Sequence, residues 1–106
     1  MLISTMNDVP GYRVTKVIGG CFGLTVRSRN VFSQFGAGLK SIVGGELGGM
    51  TKNLEKSRLE VLHRLSSSAQ SLGANAVIAM RFDTSEMKGN WTEICAYGTA
   101  VVVEPA

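Results

Sequence analysis

Three side chains in this sequence could hold a soft metal ion: Cys21, His63 and Cys95. Thiolate and imidazole are the ligands such ions prefer, and a site within one segment brings two cysteines within two to four residues of each other. No two of these three are close in the chain. Only the fold could join them, or a symmetric ring of copies each contributing one ligand. Otherwise each cysteine reads as a small buried hydrophobe and His63 as a residue on a solvated helix face.

A second cluster points to anions. Arg27-Ser28-Arg29-Asn30 ends a strand pattern where a helical pattern begins. Free backbone N–H groups and the helix dipole favour negative charge at such a place, and guanidinium matches phosphate or carboxylate. Gly36 and Gly38 fall inside the helical pattern, so this is not a phosphate-cradling P-loop. Glu46, Arg81, Asp83 and Glu93 complete the polar groups that a small anionic ligand could meet at a subunit junction. The competing reading pairs Arg27, Arg29 and Arg81 with Glu46, Asp83 and Glu93 within or between subunits. Catalysis has little to stand on. With one histidine there is no evident Ser/His/Asp or Cys/His set, and Asp83 and Glu86 beside Arg81 read as salt-bridged.

The elements that must position these groups follow from periodicity. Residues 2–6 form a short β-like run, closed by the turn-forming Asn7-Asp8-Val9-Pro10-Gly11. Residues 12–18 and 21–28 read as strand, with Gly19-Gly20 marking a bulge or bend. Phe22, Leu24 and Val26 share one face; Cys21, Thr25 and Arg27 share the other. From Asn30 the period changes. Phe32, Phe35, Leu39, Ile42 and Val43 make one helical stripe, capped by Ser28 or Asn30 and weakened by Gly44-Gly45 and Gly48-Gly49.

A second helix spans about 50–72. Its stripe is Leu54, Arg58, Val61, Leu62, Leu65, Ala69 and Leu72, with the Arg58 stem lying along it. Gly73 follows as a left-handed cap. At 1.5 Å per residue this helix is roughly 35 Å long, so part of it is expected to pack beyond its own subunit. Residues 75–86 and 91–104 are two long strands joined at Lys88-Gly89-Asn90, a hairpin turn signal. In the first, Ile78, Met80 and Phe82 are expected on one face and Ala79, Arg81 and Asp83 on the other. Near the C-terminus both faces are apolar, as in a sheet covered on two sides. One helix layer covers only one side, so another copy is expected on the other.

The fold class is therefore α+β: a curved antiparallel sheet with helices on one face, in the order β-β-α-α-β-β, assembling into a homo-oligomeric ring. The 106 residues fit a single domain. Charged residues are 18% of the chain, against about 25% in an average soluble protein, so the surface is poor in charge for a lone copy. The net charge of +3 is small, and the basic residues are scattered rather than clustered as in a nucleic-acid binder. No apolar run approaches the ~20 residues that span a bilayer. The opening residues turn polar at once, unlike a leader. A cytoplasmic protein with free thiols is expected, with itself as partner and neither nucleic acid nor membrane.

Several motifs carry a resemblance. Ser4-Thr5 with Pro10-Gly11-Tyr12, Phe22-Gly23 through Val26-Arg27-Ser28-Arg29-Asn30, and the glycine-rich run from Gly36-Ala37-Gly38-Leu39 to Gly44-Gly45-Glu46-Leu47 resemble the YbjQ-like family. So do Gly73-Ala74-Asn75-Ala76-Val77, Arg81-Phe82-Asp83-Thr84, and Thr92-Glu93 with Ala96-Tyr97-Gly98-Thr99. The resemblance covers nearly the whole chain. It implies a small bacterial domain of unestablished activity, a homopentamer, and a heavy-metal ion as the one cofactor to consider. That metal label rests on fold comparison, and fold does not carry function by itself. Cys21 and Cys95 stand where the family pattern has aliphatic residues, so the thiols do not strengthen it.

Overall fold

Period-two patterning and period-3.6 patterning become strands and a helix where the sequence places them. The computed structural model describes residues 1–28, 48–87 and 91–106. Strand β1 is Leu2–Ile3, β2 is Tyr12–Ser28, helix α1 is Gly48–Ser71, β3 is Ala76–Met87 and β4 is Trp91–Pro105. The helix expected from Asn30 and the turn at Lys88-Gly89-Asn90 lie outside the described residues.

The four strands form one sheet in the order β1-β3-β4-β2. β2 and β3 both run antiparallel to the central β4, and β1 pairs parallel with β3. The sheet is thus mixed, a correction to the all-antiparallel expectation. The cause is local: the first strand returns alongside the residues that leave the helix, Leu2 opposite Ala76 and Ile3 opposite Val77. Gly19-Gly20 does not split β2. The chain runs through it with register shifts between Val14 and Lys16 and between Val17 and Gly19.

Helix α1 ends as its sequence dictates. Gly73 takes φ +91°, a conformation nearly free of cost only for glycine. The Ala74 N–H then reaches back to the Ala69 carbonyl at 3.0 Å, which closes the Schellman cap. From this cap the chain enters β3 through Asn75. Its side-chain amide donates to the Val103 carbonyl at 2.9 Å and its Oδ1 accepts from the Val103 N–H at 2.8 Å. One side chain supplies the rung that a missing strand residue would have made.

The principal core lies between α1 and the sheet. Val61, Leu65 and Ala69 on the helix are fully buried against Cys21, Val77, Ile94, Ala96 and Ala100. Ser57 belongs to the same buried line of the helix, four residues before Val61. The expected stripe frays at its ends: Leu54 and Leu72 are exposed.

A smaller core sits on the opposite face of the sheet. Val9, Ala76, Val101 and Val103 form it, with Ile78 packed against them. Here the chain covers its own second face, so at this end no other copy is needed. The strand phase in β3 also departs from simple alternation. Ala79 adopts φ +54°, and the register against β4 shifts between Ile78 and Arg81. This bulge puts Ile78 and Met80 in different cores, where alternation had placed them on one face.

Candidate functional site

Register fixes which side chains share a face, because residues directly opposite in an antiparallel pair project to the same side. Ile94 and Ala96 of β4 pack under α1. Their neighbours Glu93, Cys95 and Tyr97 therefore project from the face that α1 does not cover. Arg81, Asp83 and Ser85 of β3 stand opposite Tyr97, Cys95 and Glu93. Phe22, Leu24 and Val26 of β2 stand opposite the same three from the other side. The open face is polar along β3 and apolar along β2, with Cys95 between.

Three of the seven candidate ligand residues meet here: Arg81, Asp83 and Glu93. Arg81 is occupied by the main chain. Its Nη1 donates to the Thr5 carbonyl at 2.7 Å and the Met80 carbonyl at 2.8 Å, tying the N-terminal segment to the β3 bulge. Arg27 pairs through its backbone with Thr92 near the end of β2. Arg29, Asn30 and Glu46 lie outside the described residues.

The thiols are separated by the sheet itself. Cys21 is 3% exposed beneath α1, its Sγ 3.7 Å from the Gly98 carbonyl, and burial pushes its pKa up. Cys95 lies on the other face. Partial burial raises its pKa first, and the negative charges of Glu93 and Asp83 raise it further. His63 is exposed on α1. These are all the cysteines and histidines in the chain, and they lie apart: Cys21 in the core beneath α1, Cys95 on the opposite face of the sheet and His63 on the exposed side of the helix. Among the described residues no three His, Cys, Asp or Glu side chains gather as metal ligands do. A soft metal held by two or more thiolate or imidazole groups of one chain does not fit this arrangement.

The thiols give a direct check. A thiol whose folded pKa is raised stabilises the fold below its unfolded value, about 8.5, and that contribution is lost as pH rises through the folded value. Stability should therefore fall on the alkaline side of pH ~8.5. Alkylation of the native protein, followed by mass spectrometry, should label Cys95 before Cys21. Labelling in the reverse order would contradict the placement of both residues.

A recess lies on the helix side. A cleft of about 230 Å³ opens between the first turns of α1 and the sheet. Thr51, Leu54, Glu55 and Arg58 line it from the helix, and Thr84, Thr92 and Ile94 from the strands. The Arg58 guanidinium sits 5.0 Å from the centroid of the Phe82 ring, a cation–π distance. The three threonines come from three elements, and no spacing in the sequence announces them.

Comparison with known proteins decides the family. The model of the YbjQ family, described as "Putative heavy-metal-binding", matches residues 1–104. This chain belongs to the YbjQ family. A UPF0145 protein of Acidothermus cellulolyticus is 63% identical over 103 residues, covering 97% of this chain and 95% of the relative. A UPF0145 protein of Streptomyces coelicolor is 58% identical over 103 residues, covering 97% of each. One of Picrophilus torridus is 50% identical over 105 residues, covering 99% of this chain and 89% of the relative. Among solved structures, a protein of unknown function from Pediococcus pentosaceus is similar with a TM-score of 0.57 at 16% identity, covering 98% of both chains. That likeness shows the fold alone. The YbjQ family description names a metal, and the positions of this member's soft donors give that description no single-chain site. No helix among the described residues is long and apolar enough to cross a membrane.

Proposed function

We propose that this chain works as a homo-oligomeric scaffold or binding domain whose copies meet on the sheet face that α1 leaves bare. One observation carries this reading. Tyr12, Val14, Val17, Phe22, Leu24 and Val26 follow one another along that face of β2, with Tyr97 beside them on β4, and all seven are exposed. Val17 is 64% and Phe22 60% exposed. A contiguous apolar strip of this kind marks an interaction surface, whereas apolar residues scattered singly need no explanation.

The helix cannot cover this strip, because it packs on the opposite side. The N-terminal segment covers only the end around Val101 and Val103. Copies of the same chain are the occupant the low charge content favours, and the family resemblance implies a ring of five. Sedimentation velocity should give a particle of five times 11.3 kDa. Phe22→Glu, which sets a charge in the middle of the strip, should lower that mass while leaving the far-ultraviolet circular dichroism unchanged. A wild-type particle of 11.3 kDa at every concentration would sink the reading.

A further inference from the structure

Among the described residues only Arg64 bonds the outer edge of β2, and the hydrogen-bonding phase of that edge can be read. The Leu24 carbonyl accepts from Arg64 Nη1 at 2.7 Å, so it points off the sheet and not toward β4. In an antiparallel pair the N–H and C=O of one residue point the same way, and the direction alternates along the strand. The phase of β4 agrees. Its Val102 carbonyl accepts from Thr15 on the β2 side, while the Val103 N–H and the Val101 carbonyl bond Asn75 on the β3 side. Even-numbered residues of β4 thus face β2. Cys21, Gly23 and Thr25 make that ladder with Gly98, Ala96 and Ile94. Gly20, Phe22, Leu24 and Val26 send their main-chain groups outward.

Proteins guard a long edge with charge, proline or bulges. The first half of β2 has such guards: two register shifts, Arg13 and Lys16. From Gly20 to Val26 there is no charge, proline or shift, and among the described residues only Arg64 touches the edge. Among the described residues the other edge of the sheet is bare at the same level. Ser4 and Met6 cover β3 as far as Met80. Beyond it Arg81, Asp83 and Ser85 bond toward β4 by the same phase, so Phe82 and Thr84 send their groups outward. Leu24 lies opposite Cys95, and Cys95 opposite Asp83, which puts both bare stretches at one height. β2 and β3 also run in one direction, since each is antiparallel to β4.

From this we infer that the Gly20–Val26 edge of β2 in one copy pairs in parallel with the Phe82–Thr84 edge of β3 in the next. The copies then share a continuous sheet. A rotation about an axis along the strands brings these two edges together and repeats until the ring closes, which leaves no edge exposed. Pairing of β2 with β2 would be antiparallel and would leave β3 bare. The inference rests on the self-assembly reading and adds to it the pair of strands that meet.

Amide hydrogen exchange at single-residue resolution on the full chain tests it. In the assembled state Phe22, Leu24 and Val26, together with Thr84, should exchange at least a hundredfold slower than unstructured amides, although the described residues of their own chain give these amides no partner. Leu24→Pro removes one outward N–H and no bond to β4, and should lower the particle mass without loss of circular dichroism. Free exchange of these amides in an assembled wild type overturns the strand pairing and leaves self-assembly standing. Protection on β2 without protection at Thr84 overturns the β2–β3 assignment in favour of β2–β2. A wild type of 11.3 kDa throughout removes both readings. Should Leu24→Pro fail to fold, the exchange pattern of the wild type still decides.

Discussion

Gly23→Ala should destabilise the chain by about 3 kcal/mol or more, the upper end of what overpacking costs, with a fall in Tm of roughly 15 °C. A Cβ at this position would run into the Leu65 backbone nitrogen, and would lie 2.6 Å from the Val61 carbonyl oxygen and 2.9 Å from the Arg64 carbonyl carbon. These are main-chain atoms of α1. No rotamer change moves them, so the helix must lift from the sheet as a body. Lifting it exposes Val61, Leu65 and Ala69, all at 0%. Thermal unfolding followed by circular dichroism checks the value. Gly20→Ala is the control, because a Cβ there meets nothing within 4 Å and its effect should stay within a few tenths of a kcal/mol. Equal shifts for the two variants would show that α1 does not rest on Gly23.

Leu65→Ala should cost about 2–5 kcal/mol, and Leu59→Ala less than about 0.5 kcal/mol in the folded single chain. Both are leucines in the middle of one helix. Leu65 is at 0% exposure in the principal core, and Leu59 is 68% exposed. Truncating Leu65 removes buried methyl groups and leaves a cavity beneath a helix whose seat is already fixed by Gly23 contact, so collapse is limited. Denaturant titration measures both, and the midpoint should shift only for Leu65→Ala. A large shift for Leu59→Ala that vanishes on dilution would place Leu59 at a contact between copies.

The elements were legible in the sequence where period and punctuation agreed. The long helix, the two C-terminal strands and the Gly73 cap all lie within a residue or two of where the pattern puts them. What the sequence hid was orientation. Alternation in β2 separates Phe22, Leu24 and Val26 from Cys21, Gly23 and Thr25 but does not say which set is covered. The structure covers the small set, because only glycine and slender side chains let α1 approach the strand so closely. The parallel pairing of Leu2–Ile3 is too short to leave a pattern. The bulge at Ala79 left no signal either, since alanine carries none of the turn preference of glycine or asparagine. Of the candidate site, Arg81, Asp83 and Glu93 were recognisable as polar strand residues. Their partners were not: Arg81 is spent on two main-chain carbonyls, and the two carboxylates act on the Cys95 thiol.

Ala79 also divides β3 into two independent registers of variation. Before it, Val77 answers to the helix and Ala76 and Ile78 to Val9; after it the assignment of odd and even positions is reversed. A volume change on one side of this offset is not transmitted along the strand as a phase error to the other. Because the two cores lie on opposite faces of the sheet, the packing under α1 can drift in composition while the seal made by the N-terminal segment keeps its own, and the two compartments can be re-engineered one at a time.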